Sequence, residues 1–460
     1  MPVRSVNLAW FRRDLRLLDN PAWADAASGG EAAALVVLQP ALLQAAGPWR
    51  LQAYLGALAG LDRSLRDSGA GLWVEVGDPA RVVQRVMARI GARRVTVNAD
   101  VTRCSVSRDR RVAEAIGSPL AAHWGTLVHP PGSVLTSAGR LSRVFTPFYK
   151  TWARLPLPDA SEPGTARLIA PPAESTLAGA LAASGLQASR PWSEHDALER
   201  LESWGRRVDD YLENRDSPAA AGTSELSAAL RFGLLSPRHL AVAVGAATPG
   251  RSGFVRQLAW RDWYAHLTAE HPEIDRVSLR SEYDRIAWRS GSAADTEFAA
   301  WRDGRTGYPI VDAAMRQLAS CGWMHNRLRM VAASFLVKDL LVDWRRGERW
   351  FRRMLIDGEI AQNCGNWQWV AGTGPDAAPY FRVFNPVTQS RRFDPDGRYL
   401  RLWLPELAAL HSRDIHAPWQ AKPLDLAAAG VVLGSTYPAP IVDHAEARLR
   451  TIAAYRQALS

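Results

Sequence analysis

The chain has 460 residues, 47% of them hydrophobic and 22% charged, a balance that supports packed cores and excludes a disordered or low-complexity protein. At this length one hydrophobic core is seldom enough, so two domains are expected. The net charge of +10, from 56 basic and 46 acidic side chains, points to a polyanion such as nucleic acid, or else to a solvated basic surface.

Three cysteines, Cys104, Cys321 and Cys364, are odd in number and widely spaced. That excludes a disulfide framework and a CxxC metal site and suits a reducing, cytoplasmic setting. No apolar run is long enough to span a membrane, and the short run near the N-terminus is expected to be a strand and not a signal segment. Nineteen tryptophans exceed an ordinary share, and their large flat faces suit an aromatic cofactor or nucleobases.

Residues 1–130 alternate short apolar runs with helical patterns. Val6–Phe11, Ala33–Leu38, Leu72–Val76 and Val95–Asn98 lack polar alternation, as strands buried on both faces do. Apolar residues at 51, 54, 55, 58, 61 and 65 have helical spacing, and 79–90 and 105–116 behave similarly. Strand–helix alternation predicts an α/β domain with a parallel, Rossmann-like sheet. No GxGxxG follows the first strand, so a dinucleotide site of the usual kind is not expected there. Residues 131–190 are rich in Pro, Ala, Ser and Gly and are expected to be an interdomain connection. From 191 to 460 apolar residues recur every three or four positions, including Leu198, Leu201, Trp204, Val208 and Tyr211. This part is expected to be a mostly α-helical domain.

Four stretches carry chemistry. Thr223-Ser-Glu-Leu-Ser227 precedes an apolar run, where its hydroxyls fit helix capping or, at a bare helix end, phosphate binding. Gln257, Trp260 and Arg261 share adjacent faces of one helix, fit either for stacking and reading a base or for ordinary amphipathic packing. Met324 to Arg353 carries eight basic and three acidic residues (8 − 3 = +5) and is expected to be one helical stretch with a solvated face. Leu355–Pro386 sets Trp367 and Trp369 among amides, carboxylates and glycines. It is either a buried loop with an aromatic plug or a platform for a flat heteroaromatic ligand.

With these stretches in view, a resemblance emerges. Trp10-Phe-Arg-Arg-Asp-Leu-Arg-Leu-Leu-Asp-Asn20, Val144-Phe-Thr-Pro-Phe148, the 223–227 motif, Gly307-Tyr-Pro-Ile-Val-Asp-Ala-Ala-Met-Arg316 and Trp323-Met-His-Asn-Arg-Leu-Arg-Met330 resemble, in order, the motifs of the DNA photolyase/cryptochrome family. The similarity is closest to class I cyclobutane pyrimidine dimer photolyases. It implies FAD in the helical domain, with Tyr211, Thr223, Ser224, Leu226 and Ser227 around the diphosphate. Asn326, Arg329, Asp357, Glu359 and Asn363 would surround the isoalloxazine and ribose. Trp367, Trp344 and Trp288 match an electron-transfer chain from flavin to surface. Trp260, Met330 and Trp369 match the lesion pocket, with Gln257 and Asn326 reading the pyrimidines. Arg261 joins them on the DNA side, and Arg215, Arg327 and Arg382 would clamp phosphates. The implied activity is blue-light repair of UV-damaged DNA by a monomeric lyase, with a cryptochrome-like photoreceptor as the alternative.

Departures from the family pattern carry expectations of their own. Gln257 stands where dimer photolyases usually carry Glu, which implies slower repair per photon. Glu225 lies next to the expected diphosphate and should turn outward to avoid repelling it. Glu359, Cys364 and Asn366 replace the usual Asp, Asn and Gly with little expected effect. Cys104-Ser105 falls where a folate-binding Asn-Glu pair is usual. A second antenna chromophore, a deazaflavin or a folate, therefore stays open. The two histidines of (6-4) enzymes are replaced by Asn326 and Met330.

Overall fold

The computed structural model describes residues 5–187, 189–376, 379 and 381–460. Contacts divide the chain into two compact units, one running to Asp209 and including Ser224–Pro272, the other made of Asp210–Thr223 and Glu273–Ser460.

The first unit is built on a parallel sheet of β1 (Val6–Phe11), β2 (Glu31–Leu38), β3 (Trp73–Val76), β4 (Ala92–Asn98), β5 (Ala121–His123) and β6 (Arg167–Leu168). The strand order is β3-β2-β1-β4-β5, with β6 beside β2. Leu8, Leu35, Val37, Val82, Val83 and Val97 close its core, which is why the strands carry unbroken apolar runs. Helices α1 (Pro48–Asp67), α2 (Pro79–Ile90) and α3 (Arg103–Ile116) follow strands β2, β3 and β4. Two strands escape the sequence pattern because they are too short to show a period.

The 131–190 stretch is more than a connection. It holds α4 (Phe145–Trp152), β6, a 3-10 turn at Ala173–Ser175 and a short helix at Leu177–Ala183. The Trp73 indole donates to the Ile169 carbonyl at 2.8 Å, fastening this stretch to the sheet. Proline density hid these elements, since each lies between prolines and is only a turn or two long. The unit is completed by α5 (Ser227–Phe232) and α6 (Pro249–Glu270), which apolar periodicity grouped with the helical region.

The second unit is helical. Its main core includes Trp301, Phe335, Leu336, Trp344, Phe351 and Trp367, with further residues from α7 (Pro309–Cys321), α8 (Asn326–Ser334), α9 (Trp344–Met354) and α10 (Ile360–Ala371), while α11 (His444–Leu459) packs Tyr455 into a smaller cluster with Tyr283, Ile286 and Leu341. The basic 324–353 stretch is not one helix. A π-helical turn at Phe335–Asp339 ends α8, Leu341 takes a left-handed φ of 52°, and the Asp343 side chain caps α9. The apolar run 331–337 masks this break, because π turns keep side chains on a buried face without a sequence signature. Among the described residues no helix is long and apolar enough to cross a membrane.

Candidate functional site

In the second unit α8 and α10 present polar groups held in fixed orientations. The Arg329 guanidinium forms two parallel hydrogen bonds to Asp357, at 3.0 and 2.9 Å, and a third to the Met324 carbonyl. Such a fork fixes both partners and leaves the carboxylate able to accept one more donor. On α10, Asn363 Nδ2 donates to the Glu348 backbone carbonyl and to the Glu348 carboxyl, both at 2.9 Å. A backbone carbonyl can only accept, so the amide cannot flip, and its oxygen Oδ1 is the atom Asn363 can offer to a ligand. Glu348 is buried, and burial raises its carboxyl pKa, with Arg352 opposing. Burial also raises the Cys364 thiol. Glu359 precedes α10 and is buried.

Trp367 and Trp344 are core residues, 2% and 0% exposed. Trp367 meets Phe351 edge-on at 5.0 Å. The Trp344 indole N–H has no hydrogen-bond partner among the described residues, and the Arg345 guanidinium lies 4.9 Å from its ring. Trp288 is half-buried and meets the Tyr455 ring at 90°.

A cavity of about 290 Å³ opens in the same unit, lined by Arg327, Met330, Trp369, Arg382, Phe384, Gln389, Arg392 and Phe393. Four of these carry sequence expectations: Arg327, Met330, Trp369 and Arg382. Arg327 is anchored by Asp216 at 2.8 Å and lies 4.5 Å from the Phe393 ring. Asn326 Nδ2 and Met330 Sδ are 3.9 Å apart. Arg215 lies 5.7 Å from the Tyr211 ring. The aromatic floor, the thioether and three arginines suit a flat, partly apolar group attached to phosphates. The sequence reading missed Phe384, Gln389, Arg392 and Phe393, although the run Arg391-Arg392-Phe393 held the signal of basic residues beside an aromatic. It also missed Glu348, whose role depends on a contact fifteen residues from Asn363.

The first unit holds Ser224–Ser227 and residues 257–261, whereas Thr223 falls in the second. The 223–227 motif does not cap a helix: α5 begins at Ser227 with Leu226 as N-cap and no side-chain cap bond. Ser224 Oγ accepts instead from Leu226 N at 3.3 Å. Glu225 adopts a left-handed φ of 52°, and its carboxylate pairs with Arg200. It is therefore turned outward and neutralised, as expected, leaving the neighbouring hydroxyls free of a competing anion. Trp260 stacks on Phe145 with centroids 3.6 Å apart, which covers one face and leaves the ring half-buried. Gln257 donates to Gly253 O at 3.1 Å. Arg261 is a correction. It is 9% exposed and donates to the Thr126 carbonyl, because its position on α6 faces the α/β core and not a DNA-accessible surface.

The family described as "FAD binding domain of DNA photolyase" matches residues 254–457, and the family "DNA photolyase" matches residues 7–165. The deoxyribodipyrimidine photo-lyase of Escherichia coli (strain K12) is 40% identical over 477 residues, covering 99% of each chain. The chain belongs to the DNA photolyase family. It is an enzyme of that family and carries its FAD-binding domain. The crystal structure of a bacterial class III photolyase from Agrobacterium tumefaciens is similar with a TM-score of 0.91 and 36% identity, covering 100% of this chain and 98% of that one. A cryptochrome from Synechocystis sp. PCC6803 follows at a TM-score of 0.87 and 30% identity, covering 98% and 99%.

The donor set of this photolyase-family chain fits FAD. In the second unit Asn363 Oδ1 is an acceptor with a fixed direction and the Arg329–Asp357 fork is a rigid polar edge. Cys104 is exposed at the start of α3, and Ser105 is bonded to Thr102 at 2.8 Å.

Proposed function

We propose that the protein repairs cyclobutane pyrimidine dimers in UV-damaged DNA under blue light, as a class I-like enzyme. The observation that carries this reading is the cavity of the second unit, where Trp369 and Met330 lie beside Arg327, Arg382 and Arg392. Fused pyrimidines need an apolar, stacking surface, and their strand needs cations at its edge. A damaged base pair is already weakened, so extruding the dimer costs less than extruding a normal base. Reduced FAD, when bound, supplies the light-driven electron that opens the cyclobutane ring and takes it back afterwards.

The chain's own residues bind, orient and hold protons. Tyr211, Thr223, Ser224, Leu226 and Ser227 hold the diphosphate. Arg329, Asp357, Glu359 and Asn326 hold the ribose and ring system. Asn363 Oδ1 would accept a hydrogen bond from the N5–H of a bound flavin, which would favour the reduced cofactor. Gln257 and Asn326 direct the dimer, Trp260 stacks against it, and Arg215 joins the phosphate contacts. Trp367, Trp344 and Trp288 pass electrons inward when the cofactor has become oxidised. An antenna at Cys104-Ser105 would lack the usual folate-binding carboxylate, so any second chromophore is a deazaflavin or is held elsewhere.

The second reading, a cryptochrome-like photoreceptor with weak repair, is favoured by Gln257 alone, since an amide cannot deliver an ionisable proton to a dimer anion. Dark titration with dimer-containing and intact oligonucleotides separates the two. The repair reading expects clear preference for the dimer, lost in Trp369→Ala and Met330→Ala. Equal affinity for both oligonucleotides contradicts it.

A further inference from the structure

The helix Pro386–Phe393 brings Gln389, Arg392 and Phe393 to the cavity of the second unit. These three stand at i, i+3 and i+4, one face of a helix. On that face the Phe393 ring lies 4.5 Å from the Arg327 guanidinium and 5.2 Å from that of Arg392. Pro386 and Ser390 are the residues this helix buries, and Ser390, on an adjacent face, is 0% exposed. Its hydroxyl lies 2.7 Å from His416 Nδ1, and His416 Nε2 lies 3.3 Å from the Pro395 carbonyl. A carbonyl oxygen only accepts, so Nε2 carries the proton and Nδ1 accepts from the Ser390 hydroxyl. The buried imidazole thus fastens the last turn of the helix to the turn that follows it. That turn is fixed in its own right, since the Asp394 carboxylate accepts from Tyr399 N and Leu400 N, each at 3.0 Å.

We propose that His416 is a positioning residue for lesion binding: through Ser390 it sets the rotation of the helix 386–393, and with it the place of Gln389, Arg392 and Phe393 against a bound dimer. The inference rests on the reading of the cavity as the dimer site. His416 acts only through Ser390 and touches no substrate. A satisfied buried pair selects one arrangement of the segments it joins, because a rotation that separates them leaves a buried donor and a buried acceptor unpaired. Turning the helix would also draw Phe393 away from Arg327, whose own place is fixed by Asp216.

Protonation removes the acceptor. An imidazolium donates from both nitrogens, so the Ser390 hydroxyl must turn away while a charge is buried beside it. Burial lowers the His416 pKa below its ordinary 6.5, helped by Arg391 and Arg401 and opposed by the Pro395 hydrogen bond and by Asp394. The cavity wall is therefore held by a neutral ring at neutral pH and released in acid.

The test titrates the FAD-loaded protein in the dark with a thymine-dimer oligonucleotide and its undamaged counterpart, between about pH 5 and pH 8, and follows hydrogen exchange in the segment 386–393. Ser390→Ala and His416→Leu should each lower dimer affinity about fivefold, the fold-change of one hydrogen bond. Both should speed exchange in 386–393 while FAD content and flavin photoreduction stay as in the parent. His416→Asn offers Ser390 an acceptor that does not titrate. It should restore most of the affinity and abolish part of the loss that the parent shows below about pH 6.5. Buried His325 also titrates below its ordinary value, in parent and variant alike, so the difference between the two profiles reports His416. A parent that prefers the dimer while Ser390→Ala and His416→Leu bind it equally well overturns the proposal alone, as does an acid loss that is the same in His416→Asn. If the parent itself shows no preference for the dimer, the reading of the cavity falls and the proposal falls with it.

Discussion

Asn363 is clamped by Glu348 at two points, the backbone carbonyl and the side-chain carboxyl, each 2.9 Å from Nδ2. Both residues lie on neighbouring helices of the second unit, and the clamp decides which end of the amide faces outward. Orientation here is a consequence of donor–acceptor chemistry, since neither Glu348 oxygen can be satisfied by the Asn363 carbonyl while the carboxylate is ionised.

Removing the carboxyl should loosen the clamp without reversing the amide, because the backbone acceptor remains. Glu348→Ala leaves only the backbone acceptor, a loss of roughly 1.5–3 kcal/mol for a hydrogen bond to a charged group. The expected result is a less stable reduced flavin, measured as a lower midpoint potential by spectroelectrochemistry with FAD content unchanged. An unaltered potential would show that the clamp does not set the amide.

Gly347 shows how closely Trp367 is packed. A Cβ at that position would lie 2.2 Å from Trp367 Cη2 and 2.5 Å from Leu336 Cδ2, distances at which something must move. Gly347→Ala is expected to cost about 1–3 kcal/mol of stability and to slow flavin photoreduction by displacing the Trp367 ring. Chemical denaturation and a photoreduction time course check both, and full-speed photoreduction would place the electron path elsewhere.

His325 gives the fold an acid-sensitive cap. Its Nδ1 accepts from Arg327 N at 3.1 Å, so the ring must be neutral at that nitrogen. Burial lowers its pKa from 6.5 to about 4, with nearby Asp216 opposing. The unfolded chain therefore binds the proton more readily, and stability present above about pH 6.5 is lost as pH falls toward about 4. Denaturation midpoints across this range should fall less steeply in His325→Asn, because Asn keeps a capping acceptor without a titrating proton. Identical slopes would remove His325 from the acid response.

Arg382 lines the cavity with its guanidinium 6.0 Å from the Phe384 ring. If it contacts a phosphate, Arg382→Ala should weaken binding of dimer-containing DNA and lower the slope of log affinity against log salt by about 1. A loss of affinity with the salt slope unchanged would mean that its contribution is stacking or packing.

Much of the α/β layer was legible because the long helices announce themselves by period and β1 by an unbroken apolar run, which the strand follows over Val6–Phe11. The break between α8 and α9 was not, since Lys338 and Asp339 look like surface charges in sequence and only tertiary packing buries them. Arg261 failed for the same reason in reverse. It stands beside Trp260, but one residue of helical rotation turns it toward the Thr126 carbonyl. For the cavity, Met330 and Trp369 came from motif resemblance, whereas Phe384, Gln389 and Arg392 belong to a segment with no periodic signal of its own. Glu348 was invisible because a clamp is a relation between two helices and not a property of either sequence segment.

The account stands on dimer repair at the Trp369–Met330 cavity. The direct measurement is chromatographic quantification of restored thymidine pairs from a thymine-dimer oligonucleotide, incubated with the fully reduced FAD-loaded protein under blue light and in the dark. Restored thymidine pairs that accumulate only in the light, and that fall sharply in Trp369→Ala, are the predicted result. No restoration in the light by protein whose flavin is verified as reduced would contradict the account.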